Sequence, residues 1–327
     1  MRILVTGTAG FIGFHLAQRL LLEGHEVAGI DNFNPYYPVV LKRARHAVLE
    51  QHGSYHGLEG NLADFSFLEA AVHSFRPEVI CHLAAQPGVR YSLINPQAYE
   101  ESNLKAFMNV LEVCRHNGIG RLVYASSSSV YGNSEKLPFS ESDAVDHPIS
   151  LYAATKKANE LMAHTYAHLF KFQTIGLRFF TVYGPWGRPD MATWLFTQAI
   201  SEGKPINVYN HGKMSRDFTF VDDIISGVRA SIFAEGLSPY EVFNIGNHQA
   251  EKLMDMISYL GEALGIEPKM NLLPMQPGDV NATYADIAQA QAKLGFAPQT
   301  PLREGLRRFV EWYQAHPELT AAVGRGA

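Results

Sequence analysis

Residues 4–13 read LVTGTAGFIG, a short apolar run that breaks into glycines at 7, 10 and 13. Between a strand and an apolar-periodic helix, glycines so spaced allow a tight turn, let the backbone approach a pyrophosphate, and let helix pack on strand. The helix N-terminus adds unpaired N–H groups facing the anion. After one helix and the strand-like HEVAGID comes Asp31. A carboxylate at that strand end accepts two ribose hydroxyls and repels a 2′-phosphate, which favours NAD over NADP.

Downstream the alternation continues. A helix over about 40–51 leads to SYHGL, then PEVICHLAA, a helix over about 96–117, GRLVYASS, a helix around Tyr152, and FQTIGLRFF. Apolar strands linked by helices predict an α/β fold: a Rossmann-type doubly wound parallel sheet with a smaller C-terminal substrate domain. The rhythm breaks after Phe180, where loops mix with helices near 193–202, 221–234, 252–264 and 302–314. Residues 1–180 are therefore expected to bind the dinucleotide, with a return to the sheet around 217–246, and 181–327 mainly to bind substrate.

Bulk properties narrow the function. Of 327 residues 46% are hydrophobic, and 27 Lys and Arg face 32 Asp and Glu without blocks of like charge, which excludes a general nucleic-acid binder. Cys81 and Cys114 show no CxxC spacing and suit a reducing compartment. No run of 18 apolar residues occurs, and the expectation is a cytoplasmic protein without membrane partners.

The chemistry is expected at SLYAATKKANE, residues 150–160, where Tyr152 and Lys156 share one helical face. A phenol titrates near 10, but an adjacent ammonium and an oxidised nicotinamide favour its anion, giving a proton acceptor poised near neutrality. Ser127, in YASSSSVYG at the carboxyl end of a strand, is placed to hydrogen-bond the reacting hydroxyl. Farther along the Tyr152 helix, Glu160, His164 and His168 lack the H-E-x-x-H arrangement and read as a solvated or interface face, so no metal site is expected.

These motifs, with HLAAQPGVRYS, RFFTVYGPWGRPDM, YNHGKMSRDFTFVDD and LPMQPGDV, resemble the extended short-chain dehydrogenase/reductases acting on nucleotide sugars, essentially from end to end. DNFNPYY, LKRAR and YGPWGRPDM are most similar to the UDP-glucuronate 4-epimerases. The resemblance implies Tyr152 as base, Lys156 as its partner on the nicotinamide ribose, and Ser127 as the third member. It implies cofactor contacts at Gly7, Gly10, Phe11, Ile12, Gly13, Asp31, Asn32, Leu62, Leu83, Ala84, Ala85 and Asn103, and at Asn61, where the group often has Asp. For the UDP-sugar it implies Arg188 and Arg216 at phosphate, Asp279 at the uridine ribose, Val208 and Tyr209 at uracil, and Gln86 and Arg90 from HLAAQPGVRYS. Ser128, Ser129 and Thr181 are the hydroxyls expected at a sugar carboxylate.

The resemblance further implies epimerisation at C4 through a transient ketone, and a homodimer built on the helices at 96–117 and 151–170. Relatives that eliminate water or CO2 carry an acid directly before V-Y-G; this chain has Ser129. A UDP-glucuronate decarboxylase, a UDP-glucose 4-epimerase and a non-catalytic NAD-binding sensor are the alternative readings.

Overall fold

In a computed structural model, which describes residues 1–275 and 281–325, the apolar runs become strands β1 (Arg2–Thr6), β2 (Glu26–Asp31), β3 (Tyr55–Glu59), β4 (Val79–His82), β5 (Arg121–Ser127) and β6 (Gln173–Phe179). The Tyr240–Ile245 strand pairs with β6, and the seven form one parallel sheet in the order β3-β2-β1-β4-β5-β6-(240–245). The order reverses between β1 and β4, which opens a crevice at their carboxyl ends.

Side-chain alternation along each strand feeds two cores. Ile3, Val5, Val27, Cys81, Val123 and Ile175 join one with helices α1 (Phe11–Leu22) and α2 (Val39–Leu49). Leu4, Ala28, Ile30, Ile80 and Leu122 join the other with α3 (Phe65–Phe75) and the helices after β4 and β5. Each fully buried aliphatic side chain contributes about 1.5–3 kcal/mol on leaving water. The doubly wound arrangement is the one expected; α3 was not anticipated from the sequence.

The helix expected over 96–117 is broken into α4 (Pro96–Tyr99), a π-helical turn over Glu100–Lys105, and α5 (Ala106–Asn117). Asn103 lies in the π turn, and its carbonyl accepts a 2.7 Å bond from the Asn159 amide on the neighbouring helix α6 (Leu151–Phe170). A widened turn frees such a carbonyl for an outside donor. Helix α6 starts at Ser150, whose hydroxyl accepts from Ala153 N at 3.1 Å, so Tyr152 falls in the first turn.

Glu160 does not belong to a solvated face. It sits at the sheet-facing edge of α6 and forms a two-pronged pair with Arg178 of β6 at 2.8 Å on both prongs, each side chain at most 4% exposed. Ser126 adds a 2.6 Å bond to the same carboxylate, and Arg178 donates at 2.9 Å to Tyr131, whose hydroxyl reaches Asn244 of the returning strand at 2.7 Å. His164 and His168 remain at the surface.

Beyond β6 the chain forms helices Ala192–Ser201, Val221–Phe233, Leu253–Leu264 and Leu302–Ala315 near their expected positions, and two unanticipated ones, Ala288–Leu294 and Pro317–Arg325. Buried Asp217 gathers this region, accepting from Asn247 N at 2.6 Å, from His248 N and Ala285 N at 3.1 Å, and from the Thr219 hydroxyl at 2.8 Å. Among the described residues no helix is long and apolar enough to cross a membrane.

Arg178→Met leaves the buried Glu160 carboxylate with only the Ser126 hydroxyl and the half-buried Lys157 ammonium at 3.9 Å. It should lower the unfolding free energy by about 3–5 kcal/mol, read as a lower urea midpoint at unchanged slope; an unchanged midpoint would remove the pair's structural weight.

Candidate active site

The glycine loop is shaped by steric exclusion. Gly7 has φ +78°, and a Cβ there would lie 2.8 Å from Ala84 N; a Cβ on Gly13 would lie 2.1 Å from the Gly7 carbonyl oxygen. Helix α1 begins at Gly10 with no side-chain cap and no acidic residue in its first turn, so its first N–H groups face the crevice unscreened. Thr6 braces the opposite wall: its hydroxyl oxygen accepts from Leu83 N at 3.2 Å and Ala84 N at 3.1 Å, and lies 2.9 Å from His82 Nδ1. Burial, reinforced by the Lys156 charge, pulls the His82 imidazole down to about 3, so it stays neutral and accepts the Thr6 proton.

Asp31 Oδ2 accepts from Ala9 N at 3.0 Å and Oδ1 from Phe33 N at 2.8 Å, which aims the carboxylate along the crevice. A free N–H row, a glycine cradle and an oriented carboxylate suit a dinucleotide with an unphosphorylated 2′-hydroxyl. Asn61 accepts from Ala63 N and donates to Glu101, both at 3.0 Å, so its amide orientation is fixed.

Beyond the glycine loop the same cleft, about 400 Å³, runs to the end of β5. Gly7, Gly10, Phe11, Ile12, Gly13, Asp31, Asn32, Asn61, Leu62, Leu83, Ala84 and Ala85 line it, together with Gln86, Ser127, Ser128, Ser129, Tyr152, Lys156, Thr181 and Arg188. Ser127 Oγ lies 3.1 Å from Ser129 Oγ, and Lys156 donates to the Ala125 carbonyl at 2.9 Å.

The electrostatics add a second cation beside the phenol. Burial pushes the Tyr152 phenol above its usual range, against the Ser127 hydrogen bond and the Arg188 charge. Burial also pulls the Lys156 ammonium down to about 8. Arg188, held by Asp190 at 3.0 Å, adds a positive charge that favours the phenolate. Burial pushes the Asp190 carboxyl up, but Arg188 more than offsets this and holds it below the usual carboxylate range. Tyr36 donates to Asp190 at 3.0 Å, and the Tyr99 ring meets Tyr152 edge-on at 6.1 Å.

The other expected residues lie away from the cleft wall. Asn103 is buried behind it, accepting from Gln86 N at 2.8 Å and donating to Thr155 at 3.1 Å. Val208 is fully buried in the core, which removes its side chain from any uracil platform. Arg90 stacks over the Tyr209 ring at 5.9 Å. Arg216 donates to the carbonyls of Ser215 and Asn281 at 2.9 and 3.3 Å. Asp279 lies outside the described residues. Sequence reasoning missed Tyr36, Lys42 and Met191 on the lining. For Lys42 the signal was available: with Arg45 it sits among Leu41 and Leu49 on the buried face of α2. Among the described residues no group of three His, Cys, Asp or Glu is arranged to hold a metal ion.

Residues 3–246 match the family model described as NAD dependent epimerase/dehydratase family. Protein CapI of Staphylococcus aureus is 47% identical over 330 residues, covering 96% of this chain and 98% of that protein. UDP-glucuronate 4-epimerase 2 of Arabidopsis thaliana is 46% identical over 327 residues, covering 95% and 75% respectively. A crystal structure of UDP-glucuronic acid 4-epimerase from Bacillus cereus in complex with UDP-glucuronic acid and NAD matches with a TM-score of 0.89 at 35% identity, over 96% of this chain and 99% of that one.

Lys156 titrates near 8 when folded against 10.5 ordinarily, so between these values the unfolded chain binds more protons and stability rises with pH. Below pH 8 the buried ammonium costs on the order of 3 kcal/mol, less its bond to Ala125. Lys156→Met should therefore stabilise the ligand-free protein at pH 7 by about 2 kcal/mol, the gain fading toward pH 10.5. Thermal melts across that range check it; a variant less stable than the parent at pH 7 would contradict it.

Proposed function

The chain belongs to the NAD dependent epimerase/dehydratase family, and from that membership we propose that it inverts C4 of UDP-glucuronate, interconverting it with UDP-galacturonate. The observation that carries this reading is one continuous cleft lined by the glycine loop, Ser127, Tyr152, Lys156, Thr181 and Arg188. Bound NAD would supply a reversible hydride acceptor for C4. Gly7, Gly10, Phe11, Ile12 and Gly13 would hold its pyrophosphate, Asp31 and Asn32 the adenosine ribose, Asn61 and Leu62 the adenine, and Leu83, Ala84, Ala85 and Lys156 its nicotinamide half.

Tyr152 takes the 4-hydroxyl proton as C4 becomes a carbonyl, and returns it after the ketone has turned its other face. Ser127 keeps the reacting oxygen on the phenol. Arg188 favours the phenolate against the burial that opposes it. The ketone of a glucuronate is a β-keto acid and loses CO2 when the C5–C6 bond stands across the carbonyl plane. Ser128, Ser129 and Thr181, which line the same cleft, hold the carboxylate away from that orientation. Gln86 also meets the sugar, while Arg188 and Arg216 serve the phosphates and Arg90, Tyr209 and Asp279 the uridine end.

Residues 1–180 with the return around 217–246 form the NAD-binding part and 181–327 mainly the sugar-nucleotide part. The protein works in the cytoplasm as a homodimer. Exposed Met108 on α5 and exposed Leu161, Leu169 and Phe170 on α6 support the dimer face. Light scattering should give twice the chain mass, and Leu161→Glu should reduce it to monomer; a monomeric parent excludes the dimer.

Incubation with UDP-glucuronate followed by NMR should yield UDP-galacturonate, with Tyr152→Phe lowering turnover by at least about 100-fold. A pentose product, or none, overturns the reading. Thr181→Ala should raise the fraction of CO2-releasing product several-fold; an unchanged ratio removes Thr181 from carboxylate control.

A further inference from the structure

The motif LKRAR, residues 41–45, carries a cation that the proposed chemistry does not use. Arg45 is fully buried on α2, and its bonding partners are all neutral. Its Nη1 donates to the Ala9 carbonyl and the Tyr37 hydroxyl, both at 2.8 Å. Its Nη2 donates to the carbonyls of Trp186 at 2.6 Å and Gly187 at 3.1 Å, and its Nε to Trp186 again at 3.2 Å. One planar fork thus joins two loops: Ala9 lies between Gly7 and Gly10, and Gly187 immediately precedes Arg188.

The second loop needs such a fastening. Trp186 has φ 59°, a left-handed conformation that costs a bulky residue energy and persists only where its surroundings enforce it. Its ring packs against Phe14 and Trp312 at 5.4 and 5.2 Å, and His15 bonds the Pro185 carbonyl at 2.9 Å. These contacts hold the loop's flank and ring. The carbonyls leading into Arg188 are held by Arg45, and a lysine, with one nitrogen on a flexible stem, cannot reproduce that fork.

We infer that Arg45 is a positioning residue that fastens the loop delivering Arg188 to the loop receiving the dinucleotide, so that Arg188 reaches the reacting centre only while Arg45 bridges both. The kinetic consequence rests on the epimerase reading; the fastening itself does not. The test uses the full chain with Arg45→Met, Arg45→Lys, Arg188→Met and the double methionine variant. Without added ligand, hydrogen–deuterium exchange of the peptide spanning residues 184–191 should rise at least about tenfold in Arg45→Met while the sheet strands keep their protection. With saturating NAD, Arg45→Met should lower kcat for UDP-glucuronate about tenfold with KM within about threefold, Arg45→Lys should restore less than half, and in the Arg188→Met background Arg45→Met should cost nothing further. Unchanged exchange at 184–191, multiplicative effects of the two substitutions, or full rescue by lysine would each overturn the inference. If the parent produces no UDP-galacturonate, the functional reading fails and the exchange result alone decides the role of Arg45.

Discussion

Between Gly7 and Ala84 there is room for a hydrogen atom and nothing larger, since any side-chain carbon on Gly7 would stand 2.8 Å from Ala84 N. That approach draws the ends of β1 and β4 together at the point where the strand order reverses. Thr6 secures it by receiving the N–H groups of Leu83 and Ala84 while bonding a neutral His82. From this junction α1 departs with its N-terminus toward the crevice, the loop after β4 supplies the wall from Leu83 to Gln86, and β5 brings Ser127 to the same cleft. The reacting groups depend on a backbone contact to which they contribute no atoms.

Buried charge is handled in three ways around that junction. Arg178 is neutralised by Glu160 and reinforced by Ser126 and Tyr131, which binds α6 to β5 and β6. Among the described residues Lys156 has no carboxylate to answer it, and burial instead pulls its ammonium down to about 8. Arg45 is met by dipoles, three carbonyls and a phenol, drawn from the glycine loop, Tyr37 and the loop at Trp186 and Gly187. The first arrangement stabilises the fold, the second tunes a site, and the third joins two loops; burial imposes all three, because a charge withdrawn from water requires compensation or neutralisation.

Much of this was legible in the chain itself. Glycine spacing, the position of Asp31 and the unbroken apolar runs carry the sheet, because strands buried on both faces leave an uninterrupted hydrophobic record. Tyr152 and Lys156 were legible because helical geometry alone puts them together. Arg188 acting on Tyr152, Asn103 behind the wall and Val208 in the core were not, since each depends on where a loop or widened turn aims its side chain. Glu160 was misread for a related reason: helical spacing groups it with His164 and His168, and only the docking angle of α6 shows that Arg178 waits beneath it. The π turn at Glu100–Lys105 left no periodic mark at all.

The strand Tyr240–Ile245 enters the sheet after some sixty residues spent elsewhere, and its Asn244 takes the Tyr131 hydroxyl and donates to the Phe139 carbonyl at 2.8 Å. During synthesis, β6 must therefore emerge from the ribosome with one edge bare and wait for a late-arriving neighbour. The nascent chain cannot complete the sheet first and append the later residues afterwards, for the strand at 240–245 is the sheet's last member. A chain that ended between residues 180 and 240 would consequently keep an adhesive sheet margin, whatever the distance of its end from the crevice.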